Sequence, residues 1–143
     1  MVALVFACTL SMPATSTDIA VYQHCQDNVD SWNLALPWAD LVSDHFNSDD
    51  VSVALKIIGC ESNGKATAKN PTSTATGLWQ FISKTWSWVE YKLNVSGNPR
   101  DPHLSTHFAA FLKYKTSQGW GHWSESAHCW EEPNEKNKFT KIN

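Results

Sequence analysis

Apolar residues recur every three or four positions in several stretches of the chain, and this spacing predicts helices. The clearest stretch is 51–61, whose apolar positions share one helical face. They are Val51, Ala54, Leu55 and Ile58. The dipeptide Asn63-Gly64 follows and is typical of a helix end, with the glycine in the left-handed cap.

Three more helices are predicted from apolar spacing and from residues that favour helix starts. One begins at Pro37, with proline in the first turn, and continues to about residue 46. Another is capped by Ser83 or Thr85. The third has Asp101 at its N-cap and Pro102 at its first helical position, and it is expected to end near residue 118. These helices predict a mainly α-helical core.

The segments outside 37–130 lack this spacing. Residues 1–16 contain a short apolar run with small residues after it, which resembles a secretory signal and is too short to span a bilayer. Residues 17–36 are polar, and we expect them to be irregular. Residues 131–143, rich in Lys, Glu and Asn, are predicted to be a flexible tail. The folded domain is therefore placed at 37–130.

Composition narrows the class of protein. A chain of 143 residues is long enough for one core, and its net charge of −3 gives no indication of the basic face that nucleic-acid binding favours. Eight tryptophans are many for this length. Core packing is expected to account for at least half of them, and a surplus suits stacking against flat sugar faces.

Glu61 is the candidate catalytic group. It lies three residues after Ile58 and four after Ile57, so its side chain is expected near the edge of the core. Partial removal from water raises the pKa of a carboxyl group, which a general acid near neutral pH needs.

A second carboxylate is missing from the stretch that follows. Residues 62–89 contain neither Asp nor Glu, whereas a mechanism that uses a pair of carboxylates needs a partner about 5 to 10 Å from the acid. Glu90 and Asp101 are candidates only if the fold brings them back to Glu61, and Asp101 is already assigned to a cap. The stretch after Glu61 therefore supplies no second carboxylate of its own.

Residues between 61 and 86 carry a family resemblance. They are Glu61-Ser62, Ala68, Asn70, Ser73, Ala75, Gly77-Leu78-Trp79-Gln80-Phe81-Ile82 and Thr85-Trp86. This set resembles the transglycosylase SLT domain family, which includes soluble lytic transglycosylases and is goose-type-lysozyme-like. The resemblance covers about 38–130. It implies a mainly α (α+β lysozyme-like) fold, in which a compact helical domain surrounds the catalytic-Glu helix beside a small loop or hairpin lobe.

The resemblance also implies roles for individual residues. Glu61 matches the family's catalytic Glu, and a disulfide is implied between Cys60 and Cys129. The implied substrate-binding residues are Ser62, Asn70, Ser73, Gln80 and Tyr114. Tyr114 matches only loosely, and a core tyrosine is equally compatible with its position beside the apolar stripe.

The remaining cysteines follow from the expected signal. Removal of 1–16 takes Cys8 away, and Cys25 is then free or pairs outside the chain. Histidines and a cysteine near the C-terminus offer a rival zinc site, namely His103, His107, His122, His128 and Cys129. The His103–His107 spacing lacks the general-base Glu of metalloproteases, so no metal and no cofactor are expected.

The function implied by the resemblance is cleavage of the β-1,4 bond between N-acetylmuramic acid and N-acetylglucosamine in peptidoglycan. Glu61 protonates the glycosidic oxygen, the substrate's N-acetyl group stabilises the sugar cation, and Glu61 then deprotonates the sugar's 6-hydroxyl to give a 1,6-anhydro end. A hydrolytic lysozyme and a non-catalytic glycan-binding protein remain alternatives. We expect a monomer with no nucleic-acid partner and no membrane span, which is secreted, held in the cell envelope or carried by a phage particle.

Overall fold

The computed structural model describes residues 4–133 and is mainly helical, as predicted. Its α-helices are α1 (Ser16–Asn33), α2 (Ala39–His45), α3 (Val51–Ser62), α4 (Ser83–Leu93), α5 (Pro102–Lys115) and α6 (Ala127–Trp130). Short 3₁₀ segments lie at Leu36–Trp38, Ser48–Asp50 and Gly119–Ser126. The loop 63–82 contains two isolated antiparallel bridges, Lys69 with Thr76 and Thr76 with Phe81, and forms the small lobe.

Helix α3 is the central element and matches its prediction closely. Its buried residues include Leu55, Ile57 and Ile58, and α1, α2, α6 and the C-terminal 3₁₀ segment all pack against it. The C-cap is Asn63, whose φ of 50° is left-handed, and Gly64 continues with a φ of 73°. The predicted helix stop is therefore confirmed, although asparagine rather than glycine occupies the cap itself.

The prediction that 17–36 is irregular was wrong, because most of it forms α1. Trp32 is the one fully buried residue of this helix. A helix that buries a single side chain does not need a repeating apolar stripe, and for this reason apolar spacing did not predict it. Thr15 and Asp18 form a capping box at its start. Helix α1 crosses α3 at Gly59, where an added Cβ would lie 2.3 Å from the Ser31 carbonyl oxygen. Helix α1 therefore packs on α3 through a backbone contact at Gly59, and this kind of contact leaves no repeating apolar pattern in the sequence.

The N-terminal segment packs on α1. Cys8 forms a disulfide with Cys25, and the Phe6 ring lies 5.8 Å from the Trp32 ring. The Asn33 side chain accepts from the Phe6 N–H at 2.9 Å and donates to its carbonyl at 3.2 Å. The expectation that Cys25 is free or pairs outside the chain was wrong, because it assumed that Cys8 is lost. Removal of 1–16 as a signal stays a prediction.

The other helix boundaries were predicted in part. Asp101 caps α5 as predicted, accepting from the His103 and Leu104 N–H groups at 2.9 and 3.3 Å. Pro37 lies in a separate 3₁₀ turn, so α2 begins later than expected. Neither of the predicted serine or threonine caps forms at α4, because its N-cap is Ile82.

Helix α5 ends earlier than the predicted residue 118. The Thr116 hydroxyl donates to the Leu112 carbonyl at 2.6 Å, and the Thr116 backbone is extended. This side-chain bond satisfies one of the last helical carbonyls and turns the chain towards the Gly119–Ser126 segment.

Tryptophan packing follows the core interpretation for most of the set. Five of the eight tryptophans are buried, namely Trp32, Trp79, Trp86, Trp123 and Trp130.

Among the described residues, no helix is both long and apolar enough to cross a membrane. Of the predicted tail, Glu132 forms an ion pair with Lys56 at 2.7 Å, and 134–143 lie outside the described residues.

Candidate active site

An open cavity of about 810 Å³ lies at the C-terminal end of α3. Its walls come mainly from the loop 63–82 and the C-terminal segment beginning at Gly119. Other helices contribute single residues, namely Asn28 of α1, Thr85 of α4 and Leu112 of α5. Glu61 and Cys60 of α3 reach this cavity. The predicted catalytic residue therefore borders a space large enough for a ligand of several rings.

Glu61 is half-buried and accepts a hydrogen bond at Oε1 from the Ser126 hydroxyl at 2.5 Å. Burial raises the pKa of Glu61 above its ordinary value of 4.5. The Ser126 hydrogen bond opposes this rise in pKa, and the negative charge of Glu125 adds to it. The predicted direction of the shift and its cause, removal from water, are both present.

Asn70 and Ser73 line the cavity, as the resemblance implied. Both also hold the loop in shape. Asn70 Oδ1 accepts from the Thr72 N–H and hydroxyl at 2.9 and 3.0 Å, and Ser73 Oγ accepts from the Ala75 N–H at 3.2 Å. The Asn70 side-chain amide has no hydrogen-bond acceptor among residues 4–133, so its two N–H donors are available to a ligand.

Gln80 also lines the cavity, but its amide N–H groups are used within the loop. Nε2 donates to the Gly77 carbonyl at 2.9 Å and to the Ala68 carbonyl at 3.2 Å. Gln80 itself has a left-handed φ of 50°. Its side chain therefore stabilises a strained turn, and Oε1 remains as an acceptor for a ligand.

Ser62 does not belong to the cavity. It is buried, and its hydroxyl donates to the Ile58 carbonyl at 3.0 Å. This position on the buried face of α3 does not favour the substrate-binding role that the resemblance implied for Ser62, which stays a prediction.

Tyr114 does not reach the cavity either. Its hydroxyl donates to Asp50 Oδ2 at 2.5 Å and accepts from the Asn47 N–H at 2.9 Å. Asp50 and Glu61 lie at opposite ends of α3, about 16 Å apart along the axis at the usual helical rise. The predicted groove role is not favoured by this position, because Tyr114 contacts the start of α3 rather than its end.

The two carboxylates considered from sequence have structural partners elsewhere. Glu90 Oε1 accepts from Trp86 Nε1 and from the Gly97 N–H, both at 3.0 Å, and Asp101 caps α5. The carboxylate that does share the cavity with Glu61 is Glu125, which sequence reasoning missed. The signal that could have found it is the implied Cys60–Cys129 pairing, because Glu125 lies four residues before Cys129.

The disulfide between Cys60 and Cys129 is present, with the Cα atoms 6.1 Å apart. It joins the residue before Glu61 to the segment that contains Ser126. The Cys60–Cys129 bridge closes 69 residues, which the chain-entropy model equates with about 4 kcal/mol of stability.

Three residues of the rival zinc site, His122, His128 and Cys129, border the same cavity without converging on one point. Cys129 is in the disulfide, and His122 Nε2 lies 2.8 Å from the Thr116 hydroxyl. Burial lowers the pKa of His122. Within residues 4–133 no group of three or more His, Cys, Asp or Glu side chains converges on a point that a metal ion could occupy.

Comparison with known proteins agrees with this geometry. The model of the transglycosylase SLT domain matches residues 44–130, which include α3, the loop 63–82 and the C-terminal segment. The chain belongs to the transglycosylase SLT domain family. Its predicted family is confirmed.

Curated relatives of this SLT chain carry a related name. Two are called probable transglycosylase SceD, from Staphylococcus aureus strains Newman and USA300, and each is 37% identical over 78 residues. The match covers 54% of this chain and 34% of each relative, so the chain spans about a third of their length. No solved structure matches the SLT chain.

Proposed function

We propose that this SLT chain cleaves the β-1,4 bond between N-acetylmuramic acid and N-acetylglucosamine in peptidoglycan, with Glu61 as its acid and base. One observation carries the proposal: a half-buried glutamate, held by a hydroxyl, borders an open and largely polar cavity in a chain of this family. Peptidoglycan glycan strands are the proposed partner.

The protonation of Glu61 suits the first step. Because burial raises the pKa of Glu61, the neutral carboxyl persists to higher pH than an exposed glutamate allows. Glu61 donates its proton to the glycosidic oxygen, and the bond from that oxygen to the muramic acid C1 breaks. The substrate's N-acetyl oxygen stabilises the cation at C1.

The second step returns Glu61 to its neutral form. Its carboxylate removes the proton from the 6-hydroxyl of the same sugar, whose oxygen then bonds to C1. The product is a 1,6-anhydro end, and no water enters the reaction. A single carboxylate is sufficient for both steps.

Glu125 supports a second candidate, a hydrolytic lysozyme. It supplies the further carboxylate in the cavity that the loop 63–82 lacks. Acting as a base on a water molecule, Glu125 gives a reducing end in place of the anhydro end. Mass analysis of the released fragments separates the two reactions, because the products differ by one water.

The decisive experiment compares lysis of purified peptidoglycan by the wild-type chain and by Glu61→Gln. The amide fills the same volume and still accepts from Ser126, but it cannot donate the proton, so we expect a rate loss of about a hundredfold or more. Glu132→Gln, a glutamate outside the cavity, is the matched control and retains lysis.

The same preparations test the non-catalytic alternative. A glycan-binding protein sediments with peptidoglycan and releases no soluble fragments, and Glu61→Gln then changes nothing. Lysis by Glu61→Gln within a few-fold of wild type contradicts the proposed role of Glu61.

We place the protein in an extracellular or cell-envelope compartment or on a phage particle, and we propose that it is a monomer. Its two disulfides, Cys8–Cys25 and Cys60–Cys129, suit an oxidising environment of this kind. Fractionation of the producing cells, with detection in the medium and envelope, tests the compartment.

A further inference from the structure

We propose that Ser126 is a positioning residue, which holds the Glu61 carboxyl in place while that group alternates between acid and base. The inference rests on the proposed function of Glu61. It assigns a role to a residue outside the 61–86 motif, carried by the Gly119–Ser126 segment on the opposite wall of the cavity.

The hydrogen bonds around Ser126 form a short chain that ends on Glu61. Its hydroxyl lies 2.5 Å from Glu61 Oε1 and 3.2 Å from the Trp123 carbonyl, and it is within donating distance of both. Trp130 Nε1 donates to Ser126 Oγ at 3.1 Å. Ser126 therefore stands between a buried indole N–H and the carboxyl group.

A serine hydroxyl has one proton and two acceptor sites, which limits what this chain can do. When Glu61 is ionised, the Ser126 proton belongs on Oε1, because a hydrogen bond to a charged acceptor is the stronger one. When Glu61 is neutral, Oε1 is a weaker acceptor and the same proton can turn to the Trp123 carbonyl. Ser126 exchanges no proton with Glu61 and only changes the direction of its O–H.

This arrangement favours one oxygen of Glu61 for chemistry. Oε1 is engaged by Ser126, whereas Oε2 has no hydrogen-bond partner among residues 4–133. The proton given to the substrate is therefore expected on Oε2, with Oε1 fixing the plane of the carboxyl group. Loss of Ser126 leaves this plane free to rotate.

One disulfide and one hydrogen bond hold Ser126 within hydrogen-bonding distance of Glu61. The Cys60–Cys129 disulfide joins the neighbour of Glu61 to a residue three positions after Ser126. The Trp123 ring is also buried, and its Nε1 donates to the Trp79 carbonyl at 3.1 Å. The acceptor to which Ser126 can turn is thus anchored in the core.

The titratable groups that share the cavity with Glu61 are few. The Gly119–Ser126 segment contributes His122 and Glu125, and α6 contributes His128. The loop 63–82 and α1 contribute only uncharged side chains to this cavity. Among these neighbours, Glu125 is the one whose charge acts on the pKa of Glu61.

The test compares Ser126→Ala, the conservative Ser126→Thr and wild type in the intact, oxidised chain. The readouts are the pH dependence of turnover on soluble glycan fragments and the ¹³C titration of the Glu61 carboxyl. Ser87→Ala, an exposed serine on α4, is the matched control. Melting curves and the disulfide content show that each variant is folded.

For Ser126→Ala we expect turnover at the optimum to fall about tenfold to a hundredfold, the range expected for a hydrogen bond to a charged group. Because that bond lowers the pKa of Glu61, its loss raises this pKa. The ¹³C titration and the alkaline limb of the rate profile, which reports loss of the Glu61 proton, therefore both move to higher pH. Ser126→Thr keeps a hydroxyl and restores both towards wild type.

Ser126→Ala that lowers turnover while the alkaline limb and the titration stay at the wild-type pH overturns the inference, because Ser126 then only packs. Unchanged turnover overturns it as well. If the wild-type chain does not lyse peptidoglycan, the proposed function fails. The Glu61 titration still decides, in that case, whether Ser126 acts on the carboxyl group.

Discussion

The two walls of the cavity differ in where their chemistry is visible. The loop 63–82 carries the family motif, yet its polar side chains mostly hydrogen-bond to their own loop, as Gln80 does to the Gly77 carbonyl. The Gly119–Ser126 segment lies outside that motif and supplies the hydroxyl that touches Glu61. The motif residues determine the shape of the loop, whereas residues distant in sequence contact the Glu61 carboxyl.

The largest expected effect comes from removing the disulfide between α3 and the C-terminal wall of the cavity, which is the segment beginning at Gly119. Replacing both Cys60 and Cys129 by alanine should cost about 4 kcal/mol of unfolding free energy. Turnover should also fall, because Ser126 is no longer held beside Glu61. It is measured below the melting temperature of the variant, so that unfolding does not account for the loss. Denaturant unfolding and steady-state kinetics on the same preparation measure both.

The second disulfide is the natural control for this experiment. Replacing Cys8 and Cys25 removes a bridge across 17 residues, worth about 3 kcal/mol in the same model. The Cys8–Cys25 bridge joins α1 to the segment before it, so turnover should stay close to wild type. Equal losses of turnover in the two double variants contradict a special role for the Cys60–Cys129 bridge.

The loop wall is tested by Gln80→Ala. This change removes two hydrogen bonds from a residue with a left-handed φ, so we expect a loss of about 1 to 3 kcal/mol in stability or transition-state binding. If the loop shape is its main contribution, denaturation detects the loss. If Oε1 binds the glycan, KM and kcat/KM change as well.

Tyr114→Phe is the comparison for Gln80→Ala. The lost hydroxyl contacts Asp50 and Asn47, so we expect a cost of about 1 kcal/mol in stability and no change in kcat. A fall in kcat without a fall in stability supports a groove role for Tyr114 and contradicts its position at the start of α3.

Predictions from the sequence were correct where the structure of a short stretch depends only on residues within that stretch. The α3 stripe, the stop at Asn63 and the Asp101 cap depend on neighbours within a few residues. The same stretch gave Glu61 and the cause of its raised pKa, because the position of Glu61 at the edge of the stripe follows from helical spacing.

The failures share a physical cause, which is contact between distant segments. Helix α1 packs through Trp32 and a backbone crossing at Gly59, neither of which produces a periodic pattern. Ser126 is 65 residues from Glu61, and only the disulfide relates the two in sequence. The groove position predicted for Tyr114 is not favoured for a related reason, because helical spacing fixes a face and leaves the opposite end of α3 equally open.

The smallest expected effect concerns Glu125 and separates the charge of the C-terminal wall from its hydrogen bond. In the proposed reaction Glu61 must be protonated for the first step, so the rate is expected to fall as the pH rises through the pKa of Glu61. The charge of Glu125 raises this pKa, so Glu125→Gln should lower it and move the alkaline limb to lower pH, opposite to Ser126→Ala. Glu125 is exposed, so salt should screen the shift.

The control and the product analysis make this last experiment decisive. Glu132→Gln removes a charge outside the cavity and should leave the alkaline limb in place. An unmoved limb for Glu125→Gln means that its charge does not reach Glu61. If Glu125→Gln instead abolishes turnover, and the wild-type products carry reducing ends, Glu125 is the base of a hydrolytic lysozyme. In that case the C-terminal wall supplies both the base, Glu125, and the hydroxyl of Ser126 that holds the acid, Glu61.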